Sequence, residues 1–454
     1  MKYLLSTLLL FSMLSCIAQD PKETRNKEIV FRGVNVIPMD KEVLLMNQTV
    51  VVKNGKISQI GGADQIKYSS DAIVIDGKGK YLIPGLAEMH AHVPPVPDIE
   101  PMKEVLLLFA VNGVTTIRGM LGHPKHLELR SKINSGEIFG PRFITSGPSF
   151  NGNSIKTPEA ARDSVLNQKK AGYDFLKLHP GLTKENFAAI EKTAEEVNIP
   201  YAGHVSWDVG VWRAIDAGYA TIDHLDGFVE SLVPDIASVK EQDAGLFGIF
   251  IADKADPAKI PALVKGLKDH SIWVVPTQAL AERWMSSDKD PEALGKEPEM
   301  VYMAPNVLQN WINAKKNLMS NPKYDKASVT NYVKLRRRLI YECNKNGVGI
   351  LLGSDAPQVF DVPGFSAHHE LRYMVESGLS PYEALRTGTY NVGVFLKRPD
   401  IGVIKPGATA DLILLNGNPL QDINQTRNIE GVLLNNQWMS KGYIGETLAK
   451  LKKG

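Results

Sequence analysis

Between residues 27 and 83 the chain alternates short apolar runs with turn residues. This pattern predicts strands at Ile29-Val30-Phe31, 34–37, 49–52, 57–60 and 72–75, with no helix of useful length. Lys53-Asn54-Gly55-Lys56 reads as a hairpin turn, because Asn-Gly accepts the left-handed backbone that a two-residue loop requires. After Pro84 the period changes. Apolar runs at 113–117, 143–146, 175–178, 201–204, 221–224, 273–276 and 349–353 alternate with amphipathic stretches. One such stretch is 184–198, where Phe187, Ile190 and Ala194 recur at helical spacing. With Leu82-Ile83 as the first strand there are eight alternating units, which predicts an α/β protein built on a (β/α)8 barrel over 84–398. The interval from Pro276 to Gly349 is too long for an ordinary crossover and predicts an insertion at about 284–325 beside the barrel mouth. Beyond 399 the strand-and-turn pattern returns at 410–415 and 431–434. Those strands would complete a discontinuous β-sandwich domain from 27–83 plus 399–448.

The first residues carry a different signal. Lys2 is followed by an almost wholly apolar stretch from Leu4 to Leu14, ended by Gln19-Asp20-Pro21-Lys22-Glu23. This is short for a membrane span and suits a signal peptide 1–18 cleaved after Ala18. The rival reading is a lipoprotein signal 1–15, with Met13-Leu14-Ser15-Cys16 as lipobox and Cys16 lipidated. The expected location is therefore exported, periplasmic or extracellular, or alternatively an outer-membrane lipoprotein. Either course consumes or removes Cys16, one of only two cysteines, so Cys343 is expected to be a lone structural thiol. Lys+Arg 52 against Asp+Glu 50 gives a net charge of +2, which argues against an extended nucleic-acid surface. Apolar residues at 43% supply a sizeable core. The apolar barrel exterior serves helix packing or a homo-oligomer interface equally well.

Chemistry gathers at the predicted strand ends. His90 and His92 are two apart in an extended segment, so both imidazoles face one side and can meet one ion. Lys177, His204, His224 and Asp355 each close or follow a predicted strand. If these strands are successive barrel strands, their C-terminal ends bring all six side chains to one mouth.

The combination of Pro84-Gly85-Leu86-Ala87-Glu88-Met89-His90-Ala91-His92 with Gly113-Val114-Thr115-Thr116-Ile117-Arg118 resembles the metal-dependent amidohydrolase superfamily, in its imidazolonepropionase-like and prolidase-like branch. Gly353-Ser354-Asp355 and the run from Gly402 to Asp411 extend the resemblance over nearly all of the expected mature chain. The resemblance implies that His90 and His92 bind one metal with Asp355, that His204 and His224 bind a second, and that a carboxylated Lys177 bridges them. A mononuclear site of His90, His92, His204 or His224 and Asp355 is the alternative, as is a plain charge partnership of Lys177 with Asp355. Zinc suits the ligand set first; manganese, cobalt or iron fit the same residues. A metal-activated hydroxide would attack the carbonyl of a small amide or short peptide, with Asp355 as proton shuttle. A dipeptidase, a deaminase or lactone hydrolase, and a catalytically inactive ligand-binding barrel are the competing readings.

Around this set, Arg118 is a candidate for a substrate carboxylate. His179, in phase with Lys177, is a candidate for substrate contact or oxyanion donation, and His368 is a candidate pocket residue. Trp207 and Trp212 read as wall or core residues rather than specificity devices.

Overall fold

The computed structural model describes residues 20–62 and 65–453; the expected export signal 1–18, with Cys16, lies outside the described residues. The predicted hairpin forms as read. Strands Leu45–Lys53 and Lys56–Gly62 pair antiparallel down to Lys53 opposite Lys56, and Asn54 and Gly55 take φ of 53° and 70°. These strands join Ile29–Val36, Ile73–Asp76 and Tyr81–Pro84 with three strands from the far end of the chain, Leu412–Leu415, Ile429–Leu434 and Gln437–Ser440. In place of the two separate sheets of a sandwich, all eight strands share one hydrogen-bonded sheet. Tyr81–Pro84 is its seam. It runs parallel to Ile29–Val36 on one side and antiparallel to Leu412–Leu415 on the other, with Leu82 opposite Leu414.

That seam corrects one expectation. Leu82-Ile83 belongs to this sheet, and the first strand of the α/β region is Leu86–Ala91, which carries His90. Gly85 separates the two strands. From there the chain alternates strands and helices as the pattern predicts. Leu86–Ala91, Val114–Gly119 and Arg142–Thr145 form one parallel sheet; Leu176–Leu178, Tyr201–Gly203, Thr221–Asp223 and Trp273–Val275 form another. Isolated parallel bridges Ser146 to Phe175 and Phe150 to Leu178 connect the first sheet to the second. On the far side, residues 350–355 lie between the outer strands. Val274 bridges Ile350, Met89 N–H donates to Leu352 O, and Asp355 N–H donates to His90 O.

The helices are those that the periodicity demands. Lys184–Glu196 buries Phe187, Ile190 and Ala194 and is capped by Thr183, whose hydroxyl accepts from Asn186 N–H. The long interval before 350 contains Pro305–Met319 and Lys326–Lys345. Leu294, Met300, Trp311 and Ile312 from this interval pack on Val359, Phe360 and Val362, so the inserted segment covers the loop that follows Asp355.

Because Leu414 is fully buried at the seam between the two chain ends, Leu414→Ala is expected to cost about 2–5 kcal/mol. Urea denaturation would measure this, and a cost near zero would contradict a shared core for the composite sheet.

Candidate metal centre

Five imidazoles meet at the strand ends. Ring centroids run from His92 to His90 (5.5 Å), His90 to His224 (4.4 Å), His224 to His204 (4.4 Å) and His204 to His179 (4.9 Å). Asp355 Oδ1 lies 2.6 Å from His92 Nε2 and 3.3 Å from His90 Nε2, so three candidate ligand atoms converge within 4.8 Å of one another. Lys177, with no exposed surface, places Nζ 3.5 Å from His90 Nε2. The structure thus brings His90, His92, Lys177, His179, His204, His224 and Asp355 together.

Local backbone makes this convergence. His224 (φ 64°) and Thr277 (φ 47°), just past strands Thr221–Asp223 and Trp273–Val275, and Asp355 (φ 71°) are non-glycine residues in the left-handed region. Such conformations are costly and persist where surrounding contacts enforce them. Here Arg336 donates to His224 O and Pro276 O at 2.6 Å each, while buried Glu88 accepts from Ser354 N–H (2.6 Å) and Ser354 Oγ (2.8 Å). Two glycines make room. A Cβ on Gly203 would sit 2.8 Å from Lys177 Cδ, and one on Gly353 would sit 2.9 Å from His90 N.

Each inner histidine has an orienting partner. His90 Nδ1 lies 2.8 Å from Asp223 Oδ2, though off the straight N–H···O line; His204 Nδ1 lies 3.0 Å from Asp226 Oδ2, and His224 Nδ1 lies 2.9 Å from Thr277 Oγ1. These contacts leave the opposite nitrogens for an ion. His224 Nε2 is buried with no hydrogen-bond partner among the described residues, an arrangement that costs stability unless something binds it. Burial pushes His204 down to about 3 and His90 and His224 well below the ordinary imidazole range, keeping them neutral, as metal ligation needs. Burial also brings Lys177 down to about 8. The donor set, the orphaned Nε2 and the carboxylate partners behind the imidazoles all fit a divalent metal.

Two expected substrate contacts lie elsewhere. Arg118 is buried beneath the site, donating from Nε to Met89 O (2.7 Å) and from Nη2 to Thr221 Oγ1 (3.0 Å), with Asp223 Oδ1 at 3.4 Å. Its guanidinium lies between the Phe175 and Phe395 rings, so it fixes Asp223 and does not reach the mouth. His368 is likewise enclosed, between Thr426 Oγ1 (3.0 Å) and Asn112 O (3.1 Å), where it joins its helix to the C-terminal segment. Conversely, sequence reading gave no role to Asp223, Asp226, Thr277 or Arg336. Strand alternation would turn Asp223 away from the side that His224 faces; the left-handed turn at His224 lets both point inward.

The family model of the amidohydrolase family matches residues 81–439, a span that includes every residue of this site. The chain belongs to the amidohydrolase family. Among relatives, ochratoxinase from Aspergillus niger is 26% identical over 325 residues, which cover 69% of this chain and 62% of that protein. Enamidase from Eubacterium barkeri is 24% identical over 387 residues, 83% of each. A solved Xaa-Pro dipeptidase with bound methionine in its active site shares the fold at a TM-score of 0.65 and 20% identity, over 91% of this chain and all of that one. Both the family and its prolidase-like relatives accord with the sequence motifs.

Beside this cluster of histidines, Glu230 borders a cavity between the loops, and burial raises its carboxyl to about 8. The folded protein therefore holds a proton on Glu230 that the unfolded chain releases near 4.5, so stability falls as pH rises from about 4.5 to 8 and is level above. Glu230→Gln is expected to flatten this slope in denaturation curves taken across that window; an unchanged slope would count against a protonated Glu230. Separately, Asp223→Asn is expected to weaken metal binding about 10–100-fold in competitive chelator titration. Unaltered affinity would remove Asp223 from the orientation of His90.

Proposed function

We propose that this protein is a metal-dependent hydrolase of an amide-type C–N bond in a small molecule or short peptide. The observation that carries this reading is the convergence of His90, His92, Lys177, His204, His224 and Asp355 within one buried cluster. Relatives named ochratoxinase, enamidase and Xaa-Pro dipeptidase support C–N hydrolysis. We take the two parallel sheets as arcs of one (β/α)8 barrel, whose C-terminal strand ends carry the site. One or two divalent ions, zinc first by donor type, supply an activated water and a Lewis acid for the carbonyl oxygen when bound.

The residues divide the remaining work. His90, His92, His204 and His224 hold the metal, each as a neutral imidazole. A carboxylated Lys177 would hold the ion or ions together with them. Its buried amine takes up carbon dioxide, forming an Nζ–C bond and releasing one proton, and the resulting carbamate offers two anionic oxygens where an ammonium offers none. Asp355, buried in the cluster and 2.6 Å from His92, receives the proton of the attacking water and passes it to the leaving nitrogen. His179 is the one imidazole of the group outside the metal set. Half-buried beside His204, with its basicity pushed down to about 2 by burial, it serves as a neutral hydrogen-bond donor to substrate or oxyanion. The apolar start of the sequence leads us to propose export, as a soluble protein or through a lipid on Cys16.

Metal-loaded protein, screened against dipeptides, N-acyl amino acids and cyclic amides, is expected to turn over at least one class. Asp355→Asn should lower kcat by about 100-fold or more. Full turnover in that variant would contradict the proton transfer assigned to Asp355.

A further inference from the structure

A cavity of about 620 Å³ opens between the segment after Tyr201–Gly203 and the one after Thr221–Asp223. Its walls are apolar, drawn from Val205, Trp207, Val211, Trp212, Leu246 and Phe247. Trp212 and Leu246 are 44% and 42% exposed, large apolar surfaces left to water at the rim of a concave site. Asp226 and Glu230 also line it.

This cavity shares its inner wall with the metal centre. Phe247 lies nearly parallel to both ligand histidines behind it, 5.0 Å and 17° from His224 and 5.9 Å and 14° from His204. Asp226, which lines the cavity, is also the carboxylate paired with His204 Nδ1. Backbone strain holds Phe247 there. Its φ is 56°, between Gly245 and Gly248 at 71° and 73°, and a Cβ on Gly248 would stand 2.8 Å from Val229. A turn this constrained presents an aromatic face at a fixed place between an apolar chamber and two ligand imidazoles.

The polar groups of the cavity indicate what enters it. Glu230 Oε2 is buried and has no hydrogen-bond partner among the described residues. The cations, Lys184 and Arg213, are exposed, and Arg213 is already paired with Glu191. An anionic group would meet only exposed cations among the described lining residues, whereas an uncharged apolar group with one hydrogen-bonding atom would fill the chamber and satisfy Glu230.

We propose that this cavity is the subsite for an uncharged aromatic group of the substrate, with Phe247 setting how that group lies relative to the reacting carbonyl and Glu230 hydrogen-bonding to it. The assignment rests on the hydrolase reading for the word substrate, but not for the binding itself. It also gives Trp207 and Trp212 a part in specificity, where the sequence suggested only wall or core.

The test uses the metal-loaded full chain and two substitutions at exposed or half-exposed rim positions, Ala237→Trp and Leu246→Glu, so that misfolding of one leaves the other. Binding of 3-phenylpropionamide is followed by calorimetry, and hydrolysis by the ratio of kcat/KM for N-(phenylacetyl)glycinamide to that for N-acetylglycinamide. Both substitutions are expected to weaken binding, and to lower the ratio, by at least about tenfold. Failure of the probe to bind, or equal affinity and an unchanged ratio in both variants, would overturn the subsite. Variant-sensitive binding without hydrolysis of either amide would uphold the subsite and contradict the hydrolase reading instead.

Discussion

The structure turns on the burial of unpaired ligand nitrogens. Packing imidazoles, a lysine amine and carboxylates at the end of an apolar core removes them from water, a cost that hydrogen bonds among themselves only partly offset. His224 Nε2 has no protein partner among the described residues, and His90 and His204 each turn Nδ1 toward a carboxylate. A divalent ion would offset this cost by satisfying several nitrogens at once, which would make metal binding and the stability of this cluster one problem.

Much of the rest of the fold is arranged to hold that cluster. Arg118 and Arg336 are buried guanidiniums whose donors go to Asp223 and to the carbonyls of His224 and Pro276. Glu88 fixes the turn that presents Asp355, and Arg118 ties the first and second parallel strands to the sixth through Met89 and Thr221. The apolar chamber behind Phe247 opens between the segments that follow Tyr201–Gly203 and Thr221–Asp223.

The sequence was most legible where chemistry and periodicity coincide. His90 lies near the end of one strand with His92 just beyond it, Lys177 lies within a short strand, and His204 follows another, because alternating βα units put them there. The Asn54-Gly55 hairpin and the helix beginning at Lys184 were readable from local propensity alone. What stayed hidden depended on tertiary placement. Arg118 follows an apolar strand and looked available to substrate, yet the aromatic rings of Phe175 and Phe395 enclose it. His368 sits on a helix whose site-facing side no local pattern reveals. Asp223 was obscured by strand alternation, which the left-handed turn at His224 suspends. Leu82-Ile83 read as a barrel strand because an apolar pair before Pro-Gly does not say which of two sheets it joins; pairing with a strand more than 300 residues later decides it.

The central claim is that this buried cluster is a metal site. Crystals grown with zinc and measured on both sides of the zinc absorption edge test it most directly. The account predicts one or two anomalous peaks within ligand distance of His90, His92, His204, His224 and Asp355, with density extending from Lys177 Nζ if that residue is carboxylated. Anomalous density absent from this cluster after zinc loading, with ordered unmodified side chains in its place, would contradict the account.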